Sequence, residues 1–132
     1  MTGLDTNVLV RYLTQDDPSQ ARRANALVAN AVAKGDRCFV GGVVLCELVW
    51  VLRGAYGFDK ATIVTVLERL LATAQFTIDE KDVVRRALED YREGKGDFAD
   101  YLIGYDGQEA GCQATATFDR RLRGSPLFQV LA

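Results

Sequence analysis

The chain has 132 residues, 48% of them hydrophobic and 26% charged, with a formal net charge of −2 and no histidine. That length supports a packed core without disulfides or a structural metal, and the composition excludes general disorder. The missing histidine excludes a Ser-His-Asp triad, a Cys-His pair, a His-ligated zinc and a histidine general base. There is no global basic signature for nucleic acid. This counts against a passive nucleic-acid binder more than against a nuclease, whose metal-binding acids carry much of the negative charge.

In chain order, Leu4 ends a short strand, and Asp5-Thr6-Asn7 turns into an apolar helix from Val8 to Leu13. Asp17 suits a helix N-cap and Pro18 the first helical position, and Ala21, Ala24, Leu27, Val28, Ala31 and Val32 keep helical spacing up to Gly35. Cys38-Phe39-Val40 is a buried strand, and Gly41-Gly42 releases it into a helix that carries Glu47 and stops near Gly54. Asp59 caps a helix whose face is Ile63, Val66, Leu67, Leu70 and Leu71, and Phe76-Thr77-Ile78 is a third strand. Asp79 is expected to cap a helix bearing Val83, Val84, Ala87, Leu88 and Tyr91, and another helix runs from Asp97 towards Gly111. Ala114 to Phe118 and Phe128 to Leu131 complete the strands.

Strands alternating with helices, without hairpin signals, predict an α/β fold: a central parallel sheet of about four to five short strands flanked by helices. The expected organisation is a single domain over residues 1–132. Cys38, Cys46 and Cys112 are odd in number and lack CxxC spacing, and read as buried thiols of a reducing compartment. No charged-then-apolar leader precedes Asp5, and no apolar run approaches the roughly 20 residues of a membrane span. The expected location is cytoplasmic.

The acids carry the functional signal. Glu47 interrupts the apolar run from Val43 to Leu52, where a carboxylate taken out of water is costly unless a cation or several donors hold it. Asp5 and Asp119 each follow a strand, at the carboxyl edge where ligands bind in open α/β sheets. Asp97 and Asp100 bracket Phe98-Ala99 at a helix start. On this reading Asp5, Glu47, Asp100 and Asp119 gather into one cluster whose mutual repulsion calls for a divalent ion. Acids without histidine select a hard, oxygen-ligated cation, Mg²⁺ or Mn²⁺, and such a metal above a parallel sheet suggests phosphoryl chemistry. Each acid also has a structural reading. Asp5 or Asp97 serves as a helix cap, Glu47 pairs with Arg11 or Arg53, and Asp16, Asp17, Asp36, Asp59 and Asp79 are caps and turns.

Four segments together resemble a known family. These are Leu4-Asp5-Thr6-Asn7-Val8-Leu9-Val10-Arg11-Tyr12-Leu13, Leu45-Cys46-Glu47-Leu48-Val49-Trp50-Val51-Leu52, Asp97-Phe98-Ala99-Asp100-Tyr101-Leu102-Ile103 and Thr115-Ala116-Thr117-Phe118-Asp119. In order and spacing they are similar to PIN-domain ribonucleases, specifically VapC-type toxins of bacterial toxin–antitoxin pairs. The resemblance implies that Asp5, Glu47, Asp100 and Asp119 are the acidic quartet and that Asp97 is the extra acid of the Asp-Phe-Ala-Asp variant. It implies that Thr6, Asn7 and Thr117 orient the carboxylates or the scissile phosphate. It further implies cleavage of RNA to a 5′-phosphate and a 3′-hydroxyl, an inhibitory antitoxin and a toxin homodimer. Two features depart from the family pattern. Gly104 and Gly107 lie where a regular Ala-rich helix is usual, so that helix is expected to be irregular, and Met1-Thr2-Gly3-Leu4 is less β-prone than usual.

The reaction expected is metal-dependent endonucleolytic cleavage of single-stranded RNA, with Arg11, Arg53, Arg120, Arg121 and Arg123 as candidates for backbone contacts. The alternative is a catalytically silent RNA- or antitoxin-binding PIN-like module. An aspartate-based phosphatase wants a second acid at position 7, which is Asn7. A phosphoacceptor receiver wants a late lysine, and Gly96 to Ala132 has none. The apolar helices around Trp50 and from Ile63 to Leu71 are expected to offer surface for a partner.

Overall fold

A computed structural model describes residues 1–131, so Ala132, the last residue of the predicted domain, lies outside the described part. The chain divides into two compact units, Met1–Asp79 and the remainder from Glu80 onward.

In the first unit, β1 (Thr2–Gly3), β2 (Cys38–Val40) and β3 (Phe76–Ile78) form a parallel sheet in that order. Thr2 faces Cys38, and Cys38 faces Phe76. Parallel neighbours need long crossovers, and helices supply them: α1 (Thr6–Thr14) and α2 (Pro18–Ala33), then α3 (Gly42–Gly54) and α4 (Lys60–Ala72). Three aspartates start helices, Asp17 and Asp59 as expected and Asp5 by its structural alternative. Asp5 accepts from the Thr6 N–H at 2.8 Å, Asp17 from Gln20 at 3.0 Å and Asp59 from Thr62 at 2.9 Å, caps worth about 1 kcal/mol each. With Cys38 and Val40 on β2, Leu9, Leu45, Leu48, Leu52, Ile63 and Leu67 are buried to within a few per cent. Leu and Ile side chains removed from water in this way contribute roughly 1.5–3 kcal/mol each.

The second unit holds α5 (Lys81–Glu93), α6 (Phe98–Glu109), β4 (Thr115–Thr117) and β5 (Phe128–Val130), with a 3₁₀ turn at Arg120–Leu122. The two strands pair in parallel, Thr115 opposite Phe128. Helices α5 and α6 pack on each other through buried Val84, Ala87, Leu88 and Tyr91 on one side and Phe98, Tyr101 and Leu102 on the other.

The α/β fold with parallel strands and flanking helices is as expected, while the strand pairing is finer than expected: β1, β2 and β3 form one parallel sheet, and β4 and β5 another. Several expectations are corrected. Asp79 does not cap α5. Its N–H donates to the Val40 carbonyl at 3.0 Å, prolonging the β2–β3 ladder, and the helix starts after Glu80 in the left-handed region (φ 48°) without a side-chain cap. Helix α6 is continuous through Gly104 and Gly107. A Cβ at Gly104 would lie 2.9 Å from Phe128 Cζ and 3.1 Å from Leu127 Cβ, and one at Gly107 would lie 2.7 Å from Thr115 Oγ1. These glycines let the strand segments seat against the helix. Cys38 is buried as expected, but Cys46 is only half-buried and Cys112 is exposed. The Ile63–Leu71 face of α4 is consumed by the core, whereas Val43 (76% exposed) and Trp50 (69%) on α3 remain at the surface.

Candidate acidic site

In the first unit the chain leaves the sheet at its carboxyl edge. The Leu4 N–H still bonds the Phe39 carbonyl at 2.9 Å, and Asp5, exposed, then caps α1. Thr6 is buried, and its hydroxyl donates to Glu47 Oε1 at 2.7 Å. A buried hydroxyl needs a partner, so this bond ties the start of α1 to α3 and fixes one carboxylate oxygen of Glu47. Glu47 itself is exposed. The burial cost read from its apolar neighbours is therefore not incurred, because α3 turns Val43, Glu47 and Trp50 to solvent while Leu45, Leu48, Val49 and Leu52 face the core.

Arg11 is engaged elsewhere in this unit. Its guanidinium donates to Asp16 Oδ1 at 3.1 Å, Tyr56 Oη at 3.0 Å and Gln20 Oε1 at 2.8 Å. Asn7 is exposed and lines a hollow of about 380 Å³ with Val8, Arg11, Gln20, Arg23, Ala24 and Leu27.

The second unit brings three of the predicted acids to one place. Asp97 is the N-cap of α6 and Asp100 its third residue, and the two form a capping box in which Asp100 Oδ2 accepts from the Asp97 N–H at 2.8 Å. Asp97 therefore does serve as a cap, and Asp100 shares that structural work. Asp119 follows β4, with its N–H bonded to Thr117 Oγ1 at 3.1 Å and its Oδ1 capping the Arg121 N–H at 2.9 Å. Thr117 thus orients Asp119 through the backbone.

Arg121 joins the three acids. Its Nη2 lies 2.7 Å from Asp119 Oδ2, 3.5 Å from Asp97 Oδ2 and 3.7 Å from Asp100 Oδ2. The bonds from Arg121 hold the Asp119 carboxyl below the ordinary carboxylate range, and the same contact raises the Arg121 pKa further. The sequence placed Arg121 among candidate phosphate contacts. Its role as a bridge was not legible from a spacing of two after Asp119, because the other two acids come from a different element.

The donors suit a hard divalent cation. They are carboxylate oxygens with Thr117 behind them, and three already surround a cationic nitrogen. As they stand, however, no group of three or more acidic or cysteine side chains among the described residues is drawn tightly enough to hold a metal ion. In the second unit the cation among these acids is the Arg121 guanidinium.

The chain matches the PIN domain family model over residues 4–124. It is 28% identical over 123 residues to a VapC ribonuclease of Aquifex aeolicus (strain VF5), an alignment covering 93% of this chain and 90% of that protein. No solved structure matches it. With nearly its whole length covered by the family model, this chain belongs to the PIN-domain family.

Proposed function

We propose that the chain is a divalent-metal-dependent endoribonuclease of the VapC type, cleaving single-stranded RNA as the toxin of a toxin–antitoxin pair. The observation that carries this reading is the convergence of Asp97, Asp100 and Asp119 on one cationic nitrogen in a chain of the PIN family. The relative described as a VapC ribonuclease supports it.

The proposed catalytic acids are Asp5, Glu47, Asp100 and Asp119, with Asp97 as a further ligand. When bound, Mg²⁺ or Mn²⁺ supplies Lewis acidity and a water of lowered pKa. The chain's own residues hold and orient. Thr6 fixes one Glu47 oxygen, Thr117 fixes the backbone at Asp119, and the capping box fixes Asp100 against Asp97. Asn7 and Arg11 are assigned to substrate orientation, and Arg53, Arg120, Arg121 and Arg123 to the RNA backbone. No histidine base is available, so the attacking water depends on carboxylates.

We further assign residues 1–132 to one PIN domain, since the family match runs unbroken from 4 to 124. The proposed location is the cytoplasm, and among the described residues no helix is long and apolar enough to cross a membrane. An antitoxin and a second copy of the chain are the proposed protein partners, and exposed Val43 and Trp50 on α3 are apolar surface available to one of them.

A silent RNA- or antitoxin-binding module is the second reading. The observation on its side is that Arg121 already occupies the space between the three acids. Incubating purified chain with single-stranded RNA in Mn²⁺, Mg²⁺ or excess chelator decides between them. Cleavage that needs the metal and disappears in Asp119→Asn is expected. Intact RNA under every condition establishes the silent module, and full activity in chelator removes the metal mechanism.

A further inference from the structure

We propose that Arg121 is a built-in competitor for the divalent cation: its guanidinium holds the carboxylates of Asp97, Asp100 and Asp119 in the metal-free chain and releases them when the ion enters. The inference rests on the metal-nuclease reading above and goes beyond it by naming what the metal must displace.

All three ion pairs end on one nitrogen, Arg121 Nη2, at 2.7, 3.5 and 3.7 Å. Three carboxylate oxygens around a single positive centre form a ligand sphere expanded to the size of an N–H donor. Mg²⁺ bonds oxygen at about 2.0–2.1 Å, so the oxygens must close inward, and Nη2 cannot stay among them. Electrostatics points the same way. A guanidinium beside a divalent ion is repelled, whereas one guanidinium against three carboxylates leaves two formal negative charges uncompensated. The site is therefore satisfied enough to be stable without metal and charged enough to attract it.

The chain also provides for the displaced side chain. Arg121 is half exposed and lines a hollow of about 440 Å³ in the same unit. Asp90 and Glu93 line that hollow as carboxylates able to receive the guanidinium, beside the cations Lys95, Arg120 and Arg123, and Asp90 Oδ2 already accepts from Tyr105 Oη at 2.8 Å. The backbone need not move. Asp119 Oδ1 caps the Arg121 N–H at 2.9 Å and also accepts from Nε at 3.1 Å, while Oδ2 makes the closest contact to Nη2 at 2.7 Å; when the guanidinium leaves, Oδ1 keeps the cap and Oδ2 becomes free for a metal. The 3₁₀ turn at Arg120–Leu122 thus keeps its cap in both states.

The test is calorimetric titration of Mn²⁺ into the full chain, its Arg121→Gln and Arg121→Lys variants and Asp100→Asn, with melting temperatures recorded before metal is added. Removing the competitor raises the fraction of chain ready to bind. Arg121→Gln is therefore expected to bind Mn²⁺ about tenfold more tightly than the parent, with Arg121→Lys between them and Asp100→Asn weaker. Metal-free Arg121→Gln is expected to melt below the parent, because three carboxylates lose their cation, and to recover more than the parent on adding Mn²⁺. Binding by both arginine variants that is no tighter than the parent's overturns the competition and leaves the metal reading standing. Mn²⁺ uptake by Arg121→Gln alone supports competition in its strongest form. No uptake by any of the proteins at millimolar Mn²⁺ overturns the metal reading itself, and the inference with it. Should Arg121→Gln fail to fold, Arg121→Lys carries the comparison: tighter binding supports the inference, and equal or weaker binding overturns it.

Discussion

Asp16 gathers Arg11 Nη1 at 3.1 Å, Thr14 Oγ1 at 2.7 Å and Tyr56 Oη at 2.5 Å around one carboxylate. The hydrogen bond from Tyr56, then that from Thr14 and the charge of Arg11, lower its pKa from 3.8 to about 2. A carboxylate depressed in the folded state contributes stability that is present above its unfolded pKa and lost as pH falls through the folded one. The chain is therefore expected to lose melting temperature between about pH 4 and about pH 2, and Asp16→Asn to flatten that slope. An unchanged slope in the variant would show that Asp16 is not the group responsible. Glu47 behaves differently. It is exposed and bonded to Thr6, so Glu47→Gln keeps an acceptor for that hydroxyl and is expected to cost under about 1 kcal/mol by chemical denaturation. Loss of about 3–5 kcal/mol would instead reveal a buried partner left unpaired. RNA cleavage by the same variant is expected to vanish.

Helix α6 shows how an element can depend on residues that disfavour it. Glycine inside a helix costs about 1 kcal/mol relative to alanine, yet Gly104 and Gly107 sit within an unbroken helix because Leu127, Phe128 and Thr115 occupy the space of their missing Cβ atoms. Gly104→Ala is expected to destabilise by about 1–2 kcal/mol, since overpacking against Phe128 and Leu127 outweighs the gain in helix propensity. Equilibrium denaturation measures this, and a stabilised variant would show that the strand segment yields freely. At the other end of α6 the capping box makes different demands on its two acids. Asn caps about as well as Asp, so Asp97→Asn is expected to retain more cleavage than Asp100→Asn at similar stability. Equal loss in both would assign Asp97 a full share in the chemistry.

At the scale of the molecule, self-association is the property most open to test. The α4 face is buried in the core, and of the two helices expected to offer apolar surface α3 does so, through exposed Val43 and Trp50. Large apolar side chains exposed together mark interaction surfaces more often than chance. Sedimentation of the chain at tens of micromolar is expected to show a dimer, and Trp50→Glu to shift it towards monomer. A dimer indifferent to Trp50→Glu would place the interface elsewhere.

Most of the local structure follows from short-range signals in the sequence. Asp17-Pro18 and Asp59 mark helix starts, and Cys38-Phe39-Val40 and Phe76-Thr77-Ile78 mark strands to the residue, because caps, prolines and short apolar runs act within a few positions along the chain. The alternation of strand and helix determined the parallel pairing. It also placed Asp5 and Asp119 at strand ends, where the structure puts them. That Glu47 faces solvent emerges from packing alone, since a run apolar at nearly every position carries no phase to say which side of α3 is buried. The tertiary structure alone decided that Gly104 and Gly107 belong inside a helix, which depends on Leu127, Phe128 and Thr115 arriving at that face. It alone showed Arg121 at the centre of three carboxylates, because Asp97 and Asp100 begin one helix and Asp119 caps a turn about twenty residues later. Their meeting is a consequence of packing, and single-chain spacing does not encode it.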